Sequence, residues 1–278
     1  DYDTERDKFV VTHGAKFNFG PAAPSGVHAP SATPDGKGGL IIIFNMNPGK
    51  PTGEWNQIFT LARKLTLTEN NEILQEPAGD IESLRTGYKK EAPLTLPANK
   101  EIVFKNIKGN AMEINLEIDP KDAPVIEMNV LRSARKEEYT QINFYRERGM
   151  GAGRDYRYGE IARIQGIQPS RPAQGQANFT RPVAESLISI ESSHSSLHPD
   201  VRPRGPETGS FVMSKEETLK LRIFIDKSVV EVFANGKQCV AVRVYPSRDD
   251  SIGFSICSHG QNSELKSLEA WQMKNIYQ

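Results

Sequence analysis

The chain has no long apolar run. The longest, Leu40 to Phe44, falls far short of the roughly 20 residues a helix needs to cross a bilayer, so no membrane-spanning helix is expected. No charge of one sign dominates either. Lys plus Arg number 35 and Asp plus Glu number 35, which argues against nucleic acid or an anionic membrane as the main partner. Cysteine is scarce. Cys239 and Cys257 each lie in an apolar, strand-like stretch, where buried free thiols are the plain expectation and one disulfide the alternative. No amphipathic helix of ordinary length can be drawn. No phosphate-cradling loop, dinucleotide fingerprint or nucleophile elbow occurs, and no cofactor is expected. The chain opens at Asp1 without a charged and apolar leader, so a removed leader or a larger N-terminal part is expected.

What the sequence does contain is β pattern. Leu219 to Pro246 reads as two consecutive hairpins. Leu219, Leu221, Ile223 and Ile225 alternate with more polar residues, the period of a half-buried strand. Val229 to Ala234 is β-branched and aromatic. Asn235-Gly236 is a strong hairpin signal, because a type I′ turn needs positive φ at both central residues. Gln238 to Tyr245 returns as a third strand. Such a run needs a covering layer, so it implies a sheet packed on another.

The rest of the chain follows the same grammar. Residues 1–75 read as four short strands joined by tight turns, the size of one propeller blade. Within them Leu40 to Phe44 is expected to be buried on both faces, and Trp55 to Leu61 with Lys64 to Leu67 to form a strand pair. Residues 76–92 read as a linker with a hint of helix. Residues 93–278 read as a β-sandwich, with Met112, Ile114, Leu116 and Ile118 on one face of a clean alternation. A long Gly-, Arg- and Pro-rich insertion at 146–176 interrupts it. The fold class is all-β: a partial propeller unit followed by a sandwich.

At Leu221 to Gly236, followed by Arg243 to Pro246, the chain resembles glycoside hydrolase family 32, the family of invertases, levanases, inulinases and fructanases. Three further pieces agree in order. Val27 to Pro30 leading into the Leu40–Phe44 strand resembles the start of the fifth blade. Thr60 to Leu67 resembles the segment closing the catalytic propeller. Leu74 to Pro77 with Ile81 to Arg85 resembles the linker between the domains. The resemblance implies a five-bladed propeller followed by a sandwich, and retaining hydrolysis of β-fructofuranosyl bonds by two carboxylates roughly 5 Å apart. The family places its acidic residues in Asn-Asp-Pro-Asn, Arg-Asp-Pro and Glu-Cys motifs, and none of the three occurs here. The expected protein is therefore the last blade and the sandwich of a β-fructosidase, with no catalytic residue in these 278 residues, inactive alone and completed by the first four blades. Its expected partners are a fructoside or fructan and that missing propeller segment. Its expected place, from the resemblance, is extracellular or periplasmic. The alternative is a non-catalytic sandwich module for glycan binding or assembly.

By the same resemblance His28, Asn45 and Asn47 are the candidate substrate-binding residues, in places where the family carries a Tyr and aromatic or amide residues. Polar groups there can rim a sugar pocket; as ordinary loop residues they would cap turns. Other candidates favour bland roles. His194 and His198 have a helical zinc spacing in a non-helical, serine-rich stretch, so no metal is expected. The arginines and tyrosines around 146–176 read as a solvated loop, with an anionic or partner surface as the alternative. Glu231, sharing a strand face with Val229 and Phe233, is expected to be a hydrogen-bonded structural carboxylate. Asn178-Phe179-Thr180 fits a glycosylation acceptor, a common chance match. Trp271 with Met273 is expected to plug the sandwich core.

Overall fold

The structure is a computed structural model describing residues 2–9, 17, 27–47, 49–69, 72–146, 185–201 and 205–276. Most of the long insertion and Asn178 lie outside the described residues. A small hairpin, β1 (Tyr2–Asp3) and β2 (Lys8–Phe9), opens the chain. The blade-like sheet follows, built from β3 (Val27–Pro34), β4 (Leu40–Met46), β5 (Ile58–Phe59), β6 (Arg63–Leu67) and β7 (Ile73–Pro77). Its order is β3-β4-β6-β7, with β5 also on β4. The two runs expected to pair with each other thus both pair with β4, β5 at its C-terminal end and β6 at its N-terminal end.

One 3₁₀ turn, Ile81–Leu84, leads into β8 (Arg85–Glu91). This strand lies inside the stretch expected as linker, yet it pairs with the last strand and forms an edge of the sandwich. The sandwich continues through β9 (Leu94–Leu96), β10 (Glu101–Lys108), β11 (Ala111–Asp119), β12 (Val125–Arg132), β13 (Thr140–Tyr145) and β14 (Glu185–Glu191). Then come β15 (Glu207–Val212), β16 (Leu219–Asp226), β17 (Val229–Ala234), β18 (Gln238–Arg243), β19 (Gly253–His259) and β20 (Ser263–Met273). One sheet runs β10-β19-β12-β13-β14-β15, the other β18-β17-β16-β11-β20-β8 with β9 on β20.

The core lies between these sheets. Ile114, Leu116, Ile223, Val230 and Val240 from one meet Ile126, Met128, Ile142, Phe144, Ile188 and Ile256 from the other. The alternation of β11 places Met112, Ile114, Leu116 and Ile118 inward. The turn after β17 has positive φ at Asn235 and Gly236, 51° and 64°, the conformation a type I′ hairpin requires.

Two expectations are corrected. Leu40 to Phe44 is sealed on one face only: Ile42, Phe44 and Met46 are buried, while Ile41 and Ile43 are half-buried and Leu40 is exposed. Trp271 does not plug the core but lies on the outer face, directly opposite Glu113 on β11. There its ring carries the Arg85 guanidinium 4.1 Å above it and packs beside Tyr88 at 5.4 Å. The cause is a register shift in β20. Glu117 pairs with Ser267 but Ile118 with Leu265, so Lys266 is left over. One extra residue reverses the alternation beyond it, turning Leu268 and Ala270 inward and Trp271 out.

Candidate functional site

The three candidate residues lie at one end of the blade-like sheet. His28 on β3 is directly opposite Asn45 on β4, and Asn45 is in turn opposite Phe59 on β5. Cross-strand partners share a face, so these residues form one row, polar at two positions and ending in an exposed aromatic. His28 is half-buried, and its Nδ1 is enclosed without a hydrogen-bond partner among the described residues. Asn47, one residue beyond β4, is buried. The structure thus brings His28 and Asn45 together and sets Asn47 below the surface. Phe59, 63% exposed, is a member of the row that sequence reasoning missed. The signal available was its place in the strand paired to β4, and that pairing was misassigned.

Such a row can hydrogen-bond hydroxyls and offer a ring face to a sugar; it holds no acid–base pair. The Asp35 carboxylate of the same sheet is spent on its own turn, accepting from the Lys37 and Gly39 backbone N–H groups with Lys64 beside it. The Lys37 and Gly39 bonds hold it below the usual carboxylate range. The three glutamates buried most deeply in the sandwich are also committed. Glu231 faces Arg63, Glu113 faces Arg85 and Arg222, and Glu138 accepts from Leu197, Ser247, Arg248 and Ser251. Among the described residues no cluster of His, Cys, Asp and Glu could hold a metal ion. His194 instead stacks on Tyr139 at 4.9 Å, nearly parallel. Both cysteines are free and buried, and burial pushes the Cys239 thiol well up.

The row is held in place by a seam between the blade-like sheet and the outer face of β16–β18. Met46 packs with Val229 and Ala241, joined by Val27 and Ile58. Phe224, Phe233 and Cys239 pack with Leu61 and Ile81. Arg63 and Glu231, 0% and 1% exposed, meet at 3.3 Å in its centre. The Glu231 carboxylate also accepts from the Leu61 N–H at 2.5 Å. The Arg63 guanidinium lies between the rings of Phe44 and Phe233, at 5.1 and 5.9 Å. Burial pushes the Glu231 carboxyl upward, while the Arg63 charge and the Leu61 N–H oppose that rise. Further along, the Gln75 N–H donates to the Gly236 carbonyl at 2.6 Å, and the Gln75 side chain donates to Gln238. Glu231 is thus a structural carboxylate, and β17 is covered on both faces: core beneath, blade above.

A family model described as glycosyl hydrolases family 32, C terminal, matches residues 80–272. Among curated proteins, the levanase of Bacillus subtilis (strain 168) is 25% identical over 231 residues, covering 82% of this chain and 29% of its own length. A fructan 1-exohydrolase of Hordeum vulgare is 23% identical over 326 residues, covering 98% of this chain and 48% of its own. The chain therefore spans about half the length of these relatives or less. Among solved structures, fructan 1-exohydrolase IIa from Cichorium intybus matches 99% of this chain and 53% of its own, with a TM-score of 0.73 at 15% identity. Exo-inulinase from Aspergillus awamori matches 90% of this chain and 43% of its own, with a TM-score of 0.63 at 16% identity. At such identities the likeness is one of fold.

Proposed function

The chain belongs to glycoside hydrolase family 32 through its C-terminal domain, and from that premise we propose that it is the C-terminal part of a β-fructofuranosidase-class enzyme hydrolysing sucrose or fructans. In this reading residues 1–75 are the last propeller blade and the sandwich is its buttress. The carboxylates that cleave the bond come from blades on a preceding segment or a second polypeptide. His28 and Asn45 line the fructoside pocket, with Phe59 beside them, and Asn47 supports the loop from beneath. The working enzyme acts outside the cytoplasm.

The observation that carries this reading is the asymmetry of the blade-like sheet. One face is welded to the sandwich through Arg63 and Glu231. The other presents Ile41, Ile43 and Asn45 half-buried. An apolar stripe of that kind is what a neighbouring blade covers. The 278-residue chain is expected to give no turnover of sucrose, levan or inulin, because the chemistry needs both carboxylates. Supplying a polypeptide of the first four blades should restore fructose release. Turnover by the chain alone would overturn the reading. So would lack of activity after a stable complex had formed.

A further inference from the structure

The turn between β16 and β17 meets the 244–252 segment and the loop after β4. Together they enclose a groove of about 340 Å³, within the size range of small-ligand sites. Lys50, Lys227, Ser228, Tyr245, Ser247 and Asp249 are among its walls.

Part of the lining is rich in donors. No carboxylate is paired with Lys50 or Lys227 among the described residues. Lys50 instead rides over the Tyr245 ring at 4.9 Å. Behind them Arg243 is 8% exposed. It lies between the rings of Trp55 and Tyr245 at 4.7 and 5.0 Å, with Nη1 buried and without a hydrogen-bond partner among the described residues. Its other nitrogens donate to the Ser228 carbonyl and to Ser228 Oγ, both at 3.2 Å. A hydroxyl that accepts from a guanidinium keeps its proton free to donate, so Ser228 presents an O–H to the groove. Two ammonium groups and this polarised hydroxyl, backed by a buried cation with no counter-ion among the described residues, suit an acceptor-only, doubly charged group. Other lining residues offer acceptors. Ser247 spends its proton on Glu138, leaving its oxygen to accept, and Asp249 is an exposed carboxylate. These suit a body carrying hydroxyl donors.

We propose that this groove binds a sugar phosphate, its phosphate held by Lys50, Lys227 and Ser228 and its hydroxyls by Ser247 and Asp249. All of these residues belong to the 278-residue chain, so the site is tested on that chain. Fructose 6-phosphate, inorganic phosphate and fructose are titrated calorimetrically at constant ionic strength. Fructose 6-phosphate should bind most tightly, inorganic phosphate more weakly, and fructose not detectably. The Lys50→Gln/Lys227→Gln double variant should lose at least about tenfold in affinity, about 1.4 kcal/mol, while its melting temperature stays unchanged. Ser228→Ala should lose a smaller factor, and Lys89→Gln on the distant β8 none. The proposal is overturned if fructose 6-phosphate fails to bind up to about 10 mM, a range where even weak complexes register. It is equally overturned if fructose or inorganic phosphate binds as well, or if the double variant binds like the wild type.

Discussion

Glu231 and Glu113 occupy the same row of the same sheet. Glu231 on β17 is opposite Phe224 on β16, Phe224 is opposite Glu113 on β11, and Glu113 is opposite Trp271 on β20. Both carboxylates are buried and both face arginine, yet their surroundings diverge. Glu113 takes a two-pronged bond from Arg85, 2.8 Å to each oxygen, and a third bond from Arg222 at 2.9 Å. Those arginine side chains keep 19% and 30% of their surface in contact with solvent. Glu231 has one arginine, itself 0% exposed, whose Nε and Nη1 have no hydrogen-bond partner among the described residues. The difference is the blade. Where it covers the row, the ion pair is dry and incompletely satisfied; where the row is open, arginines form their own lid and satisfy the carboxylate fully. A dry pair contributes little net stability compared with an apolar pair of the same shape, but removing one half is severe.

The largest expected effect tests that contrast directly. Glu231→Ala leaves Arg63 charged and buried, and should cost about 3–5 kcal/mol in urea unfolding. Combining Arg63→Met with Glu231→Leu should recover most of that loss. No recovery would mean that the pair contributes more than its mere completeness. Next comes acidification. Burial raises the Glu101 carboxyl, but bonds from Arg132 and Ser255 and the Lys136 charge outweigh it and bring the group to about 2. A carboxylate depressed in the folded state stabilises at pH above its unfolded value, and that contribution is lost as pH falls from about 4.5 toward 2. The loss should amount to roughly 3 kcal/mol at most, and Glu101→Gln should flatten it. A smaller effect is expected at the open end of the row. Glu113→Gln keeps the shape but weakens charge-assisted bonds at a half-wet site, and should cost about 1–2 kcal/mol. A cost equal to that of Glu231→Ala would abolish the distinction drawn between them. At the bottom of the scale, the Lys90–Glu269 pair has side chains 60% and 32% exposed. Lys90→Ala should change stability by less than about 0.5 kcal/mol.

The parts legible from sequence were those whose signal is local. β16–β18 follow from alternation plus Asn235-Gly236, and β11 from its four inward apolar residues; both depend only on near neighbours in the chain. The errors came from facts that no local window holds. An apolar run such as Leu40 to Phe44 says that burial is possible, not which face is covered. Trp271 lies outward because the bulge at Lys266 reverses the alternation that holds up to Leu265, a feature set by pairing with the partner strand. β8, with Gly87, Lys89 and Lys90 in seven residues, looks like linker because an edge strand needs only half its ladder satisfied and carries charges outward. At the candidate site, the motif suggested His28 and Asn45, but their cross-strand opposition and the presence of Phe59 follow from pairing between segments.

The double coverage of β17 has a consequence for where this protein can be divided. In sequence, the stretch between Pro77 and Ile81 invites a cut: it joins two units, it is turn-like, and the family match begins at residue 80. In space it is not a joint. Severing and removing what precedes it would strip the cover from Val229, Phe233 and Ala241, and leave the Glu231 carboxylate without its cation. The turn at Gly236 would lose its bond to Gln75. The blade-like sheet and the sandwich are therefore one packed unit. A fusion, swap or expression boundary that keeps the sandwich well behaved has to carry Val27 to Pro77 along with it.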